Sequence, residues 1–169
     1  MRHHTVTDSP YGPLTLVADA DGALCGLYMT DQRHRPADDT FGPRDDSVRV
    51  FAEAQEQLAA YFVGEIRRFT VPLGLHGTPF QRRVWDRLTE IPYGETRSYG
   101  QLALALGTPG ASRAVGLANG RNPVGIIVPC HRVVGSDGSL TGYGGGLDRK
   151  RRLLAFERGS ERAEEGVLF

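Results

Sequence analysis

The chain has 169 residues, room for one large domain or two small ones. Hydrophobic residues make up 40% and charged residues 24%, which excludes a disordered, collagenous or coiled-coil chain. Twenty Lys and Arg balance 20 Asp and Glu, so the whole chain lacks the basic excess usual in a nucleic-acid binder. Divided at His76, the two halves differ. Residues 1–75 carry 7 Arg against 11 acidic side chains, a net of −4, while residues 76–169 carry 12 Arg and one Lys against 9, a net of +4.

Pro13–Ala18 and Ala23–Tyr28 flank Asp21-Gly22 and predict a β-hairpin. Residues 31–46, rich in charge and proline, predict an exposed loop. From Val48 the spacing Phe51, Ala54, Leu58, Tyr61/Phe62 is helical, with Gly64 as the stop. Phe69–Leu73 predicts one more strand, at an edge because of Pro72. Leu75-His76-Gly77 then forms a boundary between an N-terminal α/β domain (1–75) and a C-terminal domain (76–169).

The second half opens on helix-start signals. Thr78-Pro79-Phe80-Gln81 places a capping hydroxyl, a first-turn proline and a capping-box Gln before the apolar stripe Phe80, Val84, Trp85, Leu88, Ile91. Ser98-Tyr99-Gly100-Gln101 repeats the box, and that helix runs to Gly107. Thr108-Pro109 predicts the start of a third helix, with small core-side residues Ala111, Ala114, Gly116 and Ala118, one cation Arg113, and a stop at Gly120. Two short helices around a tight glycine-containing turn form a helix-turn-helix pattern. Between Thr78 and Arg152 there are 11 basic and 5 acidic residues. This suggests a DNA surface, with a plain helical pair packed on a core as the alternative.

Two cysteines are too few for a disulfide framework. Cys25, inside the apolar run Ala23–Leu27, reads as a small buried hydrophobe. Cys130 follows the apolar run Val124–Val128, read as a buried strand, and precedes His131. A free thiol has a pKa of about 8.5 and needs a base or a positive setting to act as a nucleophile. Neighbouring side chains on a strand point to opposite faces, so a Cys130–His131 dyad requires the chain to turn here. A core cysteine beside a surface histidine is the alternative. Zinc is not expected, because Cys130-His131 lacks a second ligand pair and Cys25, His3, His4 and His34 do not complete a set. The N-terminal residues Met1–Thr5 lack a signal-like apolar stretch, and Val124–Val128 is far too short to cross a membrane. A cytoplasmic protein without a membrane partner is expected.

Pro129-Cys130-His131-Arg132-Val133, with Asn122-Pro123 upstream and Gly142-Tyr143-Gly144-Gly145-Gly146 downstream, resembles the O6-alkylguanine-DNA alkyltransferase family. Ile91–Glu95, Ser98-Tyr99, Arg113–Gly116 and Leu153–Glu157 fit in the same order, and Asp8–Leu14 fits more weakly. The resemblance implies an α+β chain in which a small α/β domain with an antiparallel sheet precedes a winged-helix-like helix-turn-helix alkyltransferase domain. It implies a methylated-DNA–protein-cysteine methyltransferase that moves the alkyl group of O6-alkylguanine, and of O4-alkylthymine, onto Cys130 once, without a cofactor.

By the same resemblance His131 takes the thiol proton through water, Glu157 orients the imidazole, and Asn122 ties the helix-turn-helix to the cysteine segment. Tyr99 approaches a ring nitrogen of the flipped base. Tyr143 and Gly144 form the lid; family members often carry Ser at position 144, so only the main-chain N–H carries over. The carbonyls of Cys130 and Val133 accept from the guanine amino group. Arg113 fills the gap left in the base stack, and Ala111, Ala114 and Gly116 let the helix approach the minor groove. The cations Arg149–Arg152 add phosphate contacts or form a solvated helix face.

The implied partner is double-stranded DNA with alkylated bases, met by a monomer; cooperative assembly on DNA stays open. Three rival readings remain. A lesion sensor would lack the acceptor cysteine, a Cys-His hydrolase would turn over and ignore DNA, and a transcription regulator would need further modules.

Overall fold

The computed structural model describes residues 1–159; the last ten residues of the expected C-terminal domain lie outside them. The first half builds a three-stranded antiparallel sheet, β1 (His3–Thr7), β2 (Leu14–Ala18) and β3 (Leu24–Met29), with β2 in the centre. The β2–β3 hairpin forms where Asp21-Gly22 predicted it. Gly22 sits at φ 80°, and Asp19 Oδ1 accepts from the N–H groups of Asp21 and Ala23.

Every residue of β2 and β3 is buried, because the sheet is covered on both faces. Helix α1 (Arg49–Phe62) packs Phe51, Ala54, Leu58 and Tyr61 into the main core. Val17, Cys25, Tyr28 and Phe41 form a second cluster, with Phe41 stacked on Tyr28 at 5.4 Å. Phe41 ends a short 3-10 turn, Asp38–Phe41, inside the segment expected to be an exposed loop. Cys25 is buried as expected.

Two expectations fail in this half. Strand β1 went unread, since His3-His4-Thr5-Val6-Thr7 buries only Thr5 and carries no apolar alternation. The expected strand Phe69–Leu73 reduces to an isolated bridge between Leu24 and Leu73. There the Pro72 carbonyl accepts from Leu24 N–H, while Pro72 itself has no N–H with which to continue a ladder.

The second half is helical. α2 (Pro79–Leu88) and α3 (Tyr99–Ala105) both begin on complete capping boxes, at Thr78/Gln81 and Ser98/Gln101. α4 (Ser112–Gly120) packs on both of them, and the Trp85 indole N–H bonds the Ala118 carbonyl at 2.9 Å. α4 starts four residues later than Thr108-Pro109 suggested. Ala111 N–H closes a turn onto Thr108 O, and Gly110 lies at φ 87°, outside helical space. Its core face is also different: Val115, Ala118 and Asn119 are buried, whereas Ala114 is exposed and Ala111 and Gly116 are half-buried.

β4 (Arg97–Ser98) and β5 (Val133–Val134) pair in parallel and brace the start of α3 against the segment after Cys130. α5 (Leu147–Glu157) closes the described chain. One contiguous core joins α1 and the sheet to α2, α4 and α5. Together these elements make an α+β fold with an antiparallel sheet in the first half and a helical second half.

Candidate active site

The segment leading to Cys130 is not the buried strand its composition suggested. After a single bridge between Val124 and Leu27, Ile127 N–H bonds Gly125 O at 2.8 Å, closing a three-residue turn around Ile126. Ile126 has φ 70°, an uncommon and strained setting for a β-branched residue. A second tight turn follows, with Cys130 N–H on Val128 O at 2.8 Å around Pro129 at φ −82°, ψ 65°. Residues 130–132 then form one 3-10 turn, which supplies the bend that a Cys130–His131 dyad requires. The apolar side chains match a strand because the whole segment is buried; its hydrogen bonds instead close on themselves.

Asn122 holds this double turn. Its Nδ2 donates to Val128 O at 2.7 Å, and its Oδ1 accepts from Val124 N–H at 3.0 Å. The residue lies two positions beyond α4, so it links the helix end to the cysteine segment.

Behind the turn, Glu157 at the end of α5 is 5% exposed and receives four donated hydrogen bonds. They come from Tyr61 Oη at 2.5 Å, His131 Nε2 at 2.8 Å, Arg132 Nε at 2.8 Å and Arg132 Nη2 at 2.9 Å. Burial pushes this carboxyl up, but the charges and hydrogen bonds of His131 and Arg132 outweigh it and hold Glu157 well below the usual carboxylate range. An ionised carboxylate only accepts, so His131 carries its proton on Nε2 and presents a bare Nδ1 lone pair. That Nδ1 is buried and has no hydrogen-bond partner among the described residues.

Cys130 needs that base. Burial pushes its thiol up, against the opposing effects of the Asn122 amide and the Lys150 charge. The cavity it lines, with Asn119, Asn122, Tyr143, Gly144 and Gly145, measures about 20 Å³. That is room for about one water molecule and not for a purine.

The other expected residues fall around this centre. The Tyr143 hydroxyl approaches Gly125, and Gly144 O accepts from Arg33 N–H at 2.7 Å, so the expected lid is latched to the first half. A side chain on the neighbouring Gly145 would collide with Met29 and the Tyr143 ring. Tyr99 Oη donates to Thr141 O at 3.0 Å, and its ring packs against Gly116 of α4. Arg113 and Ala114 are exposed on α4, and Arg113 makes no side-chain hydrogen bond or ion pair among the described residues. The Cys130 carbonyl already accepts two bonds, from Val133 N–H and from Asn119 Nδ2 at 3.4 Å, whereas the Val133 carbonyl accepts from Lys150 Nζ at 2.5 Å and keeps a second lone pair.

Lys150 corrects both readings of the basic run. It is fully buried, with Nζ also donating to Thr141 O at 3.0 Å and Gly142 O at 3.2 Å. Its neighbours are engaged too: Arg149 with Gly145 O, Arg151 with Asp148, and Arg152 with Pro10 O and the Tyr11 ring. Lys150 is thus structural, Arg149 and Arg152 are half-buried, and Arg151 stays on the solvated face. Tyr61, Arg132, Lys150 and Asn119 were not singled out from sequence. Arg132 alone had a signal, since it directly follows the Cys-His pair; the others meet the site across distances in the chain that no local pattern encodes.

The chain is similar to known proteins along nearly its whole length. Residues 2–75 match the 6-O-methylguanine DNA methyltransferase ribonuclease-like domain, and residues 79–159 match the DNA binding domain of the same family. A methylated-DNA–protein-cysteine methyltransferase of Mycolicibacterium paratuberculosis is 56% identical over 158 residues, covering 94% of this chain and 93% of that one. A Mycobacterium tuberculosis OGT solved in complex with DNA superposes with a TM-score of 0.87 at 52% identity, over 96% of each chain. An O6-methylguanine-DNA methyltransferase from Pyrococcus kodakaraensis gives a TM-score of 0.62 at 28% identity, over 93% of this chain and 99% of that one. The chain belongs to the 6-O-methylguanine DNA methyltransferase family.

Proposed function

We propose that this chain repairs alkylated DNA by moving the alkyl group of O6-alkylguanine onto the sulfur of Cys130. The observation that carries the proposal is the His131–Glu157 bond, which fixes the imidazole tautomer and leaves Nδ1 bare on the residue next to the buried Cys130. The Cys130 proton passes to His131 Nδ1 through a water, and Glu157 stabilises the imidazolium that results. The thiolate attacks the alkyl carbon in line. A sulfur–carbon bond forms, the carbon–O6 bond breaks, and its electron pair leaves on guanine, which takes up a proton. No step regenerates the thioether, so each molecule acts once.

The closed cavity supports a requirement for movement. The target nucleotide is flipped out of the stack, and Tyr143 and Gly144 shift to admit it and then cover it, with Tyr99 at its edge. Arg113 occupies the vacated place in the duplex. Ala111, Ala114 and Gly116 keep α4 slim enough for the minor groove, where readout of sequence is poor and suits a search for damage. The cavity sets no bar against O4-alkylthymine once the lid has moved.

Residues 1–75 form the supporting unit and residues 76–169 the DNA-binding and catalytic unit of a monomer. Among the described residues no helix is long and apolar enough to cross a membrane, and the cytoplasm is the proposed site of action.

The test is intact-mass measurement after mixing with a duplex containing O6-methylguanine. The wild-type chain gains one methyl group, and Cys130→Ala gains none while still binding the duplex. Methyl transfer to the variant would overturn Cys130 as the acceptor.

A further inference from the structure

The first half is acidic overall, yet three of its arginines, Arg2, Arg33 and Arg68, are without partners among the described residues, and two of them share one cleft. Arg2 and Arg33 are exposed, and neither guanidinium makes a hydrogen bond or ion pair among the described residues. Other arginines of that half are engaged: Arg35 with Asp38, Arg44 with Asp46, Arg49 with Glu53, and Arg67 over the Tyr93 ring. Arg2 and Arg33 share a cleft of about 250 Å³ with Arg121, the residue that ends α4, whose guanidinium is also exposed and unpaired among the described residues.

His34 completes the rim, and among the described residues no carboxylate lines the cleft. Asp19 acts from outside by binding the lining His76 at 3.0 Å. Three unpaired guanidinium groups around one opening repel one another, an arrangement suited to an anionic guest.

The place of the cleft says which anion. Arg33, His34 and Arg121 also line the adjoining cavity of about 170 Å³, where Tyr99, Leu117 and Tyr143 stand at the mouth of the cysteine pocket. That cavity has no lining carboxylate either. Arg33 is held between the two by its backbone N–H on the lid carbonyl of Gly144. Arg121 lies eight residues after Arg113 on the same helix, about 12 Å along its axis. A cationic path thus runs from the α4 surface, past the pocket mouth, into the first half.

We propose that the Arg2–Arg33–Arg121 cleft seats backbone phosphates of the DNA strand flanking the damaged nucleotide. The N-terminal half then contacts DNA directly instead of only supporting the fold. This rests on the DNA-repair reading above, but its test is separable.

Affinity for an undamaged duplex is measured by fluorescence anisotropy between 50 and 200 mM salt, for wild type and for Arg2→Ala/Arg33→Ala. Each phosphate contact contributes about 0.9 to the slope of log affinity against log salt, so the double variant lowers the slope by about 1.8. Arg121→Gln alone lowers it by about 0.9. A control double variant, Arg68→Ala/Arg158→Ala, removes the same charge away from the cleft and leaves the slope unchanged. Thermal melting at the wild-type temperature reports that the variants are folded. An unchanged slope in the cleft variants, or an equal fall in the control, overturns the proposal. Failure of the repair reading would look different: the wild-type chain would take no methyl group from the duplex.

Discussion

Two buried charges stand on either side of the Cys130 turn, and they are satisfied in opposite ways. Glu157 is an anion surrounded by side-chain donors from α1 and from the residues just after Cys130. Lys150 is a cation surrounded by the main-chain carbonyls of Val133, Thr141 and Gly142. Seven residues apart on one helix, they face different parts of the site. Any residue with a carbonyl can serve Lys150, so only Lys150 itself is specified. Glu157 needs a Tyr, a His and an Arg at fixed places. The first arrangement shapes a loop; the second sets a tautomer and a protonation state.

Removing the anion is the larger disturbance. Glu157→Gln keeps the shape but leaves the buried Arg132 guanidinium without its counter-charge, which costs about 3–5 kcal/mol. It also frees His131 to take the wrong tautomer, and alkyl transfer falls about a hundredfold. The pH dependence carries a definite sign. The folded Glu157 pKa lies below its unfolded value, so its contribution is fully present above about pH 4.3 and is lost as pH falls from there. Thermal melts from pH 7 to pH 3 therefore narrow the gap between wild type and variant toward the acid end without closing it, because the folded pKa lies below that range. Parallel curves would show that the ion pairs contribute nothing net.

The sequence disclosed the parts of this centre that follow one another and hid the parts that meet in space. The capping boxes at Thr78 and Ser98 were readable because a box is completed within four residues. The β2–β3 hairpin was readable because Asp19 and Gly22 close it locally. Cys130, His131, Asn122 and Glu157 were singled out mainly through the resemblance, and the structure brings all four around one turn.

Val124–Val128 misled because burial, not strand pairing, dictates its composition. Lys150 misled in the same way. Within Arg149–Arg152 nothing distinguishes a buried ammonium from an exposed one until the loop carbonyls close over it. Tyr61 lies 96 residues from Glu157, and its helical spacing marks it only as a core residue.

Removing the cation should disturb less. Lys150→Met takes donors from three carbonyls, but those of the exposed Thr141 and Gly142 can turn to water, so the loss is about 2 kcal/mol. The visible consequence is local: the 135–146 loop is cut faster by protease, and transfer slows less than in Glu157→Gln. Burial lowers the Lys150 pKa to about 8. Between there and about 10.4 the unfolded chain holds a proton the folded chain has released, so wild-type stability rises with pH across that window. The variant shows no such rise. If Lys150→Met slowed transfer as far as Glu157→Gln does, the cation would belong to the chemistry and not to the loop.

The smallest change asks whether α1 belongs to the chemistry or supports it. Burial and the Glu157 charge raise the Tyr61 pKa well above its ordinary value, so its hydroxyl stays a donor. Tyr61→Phe removes one hydrogen bond to a charged group and leaves Glu157 its three donors from His131 and Arg132, for a loss of about 1.5 kcal/mol. The melting temperature should therefore fall while the transfer rate at neutral pH stays near wild type. A fall in rate matching that of Glu157→Gln would make the first half part of the proton path itself, and the contrast between the two buried charges would then extend across the whole molecule.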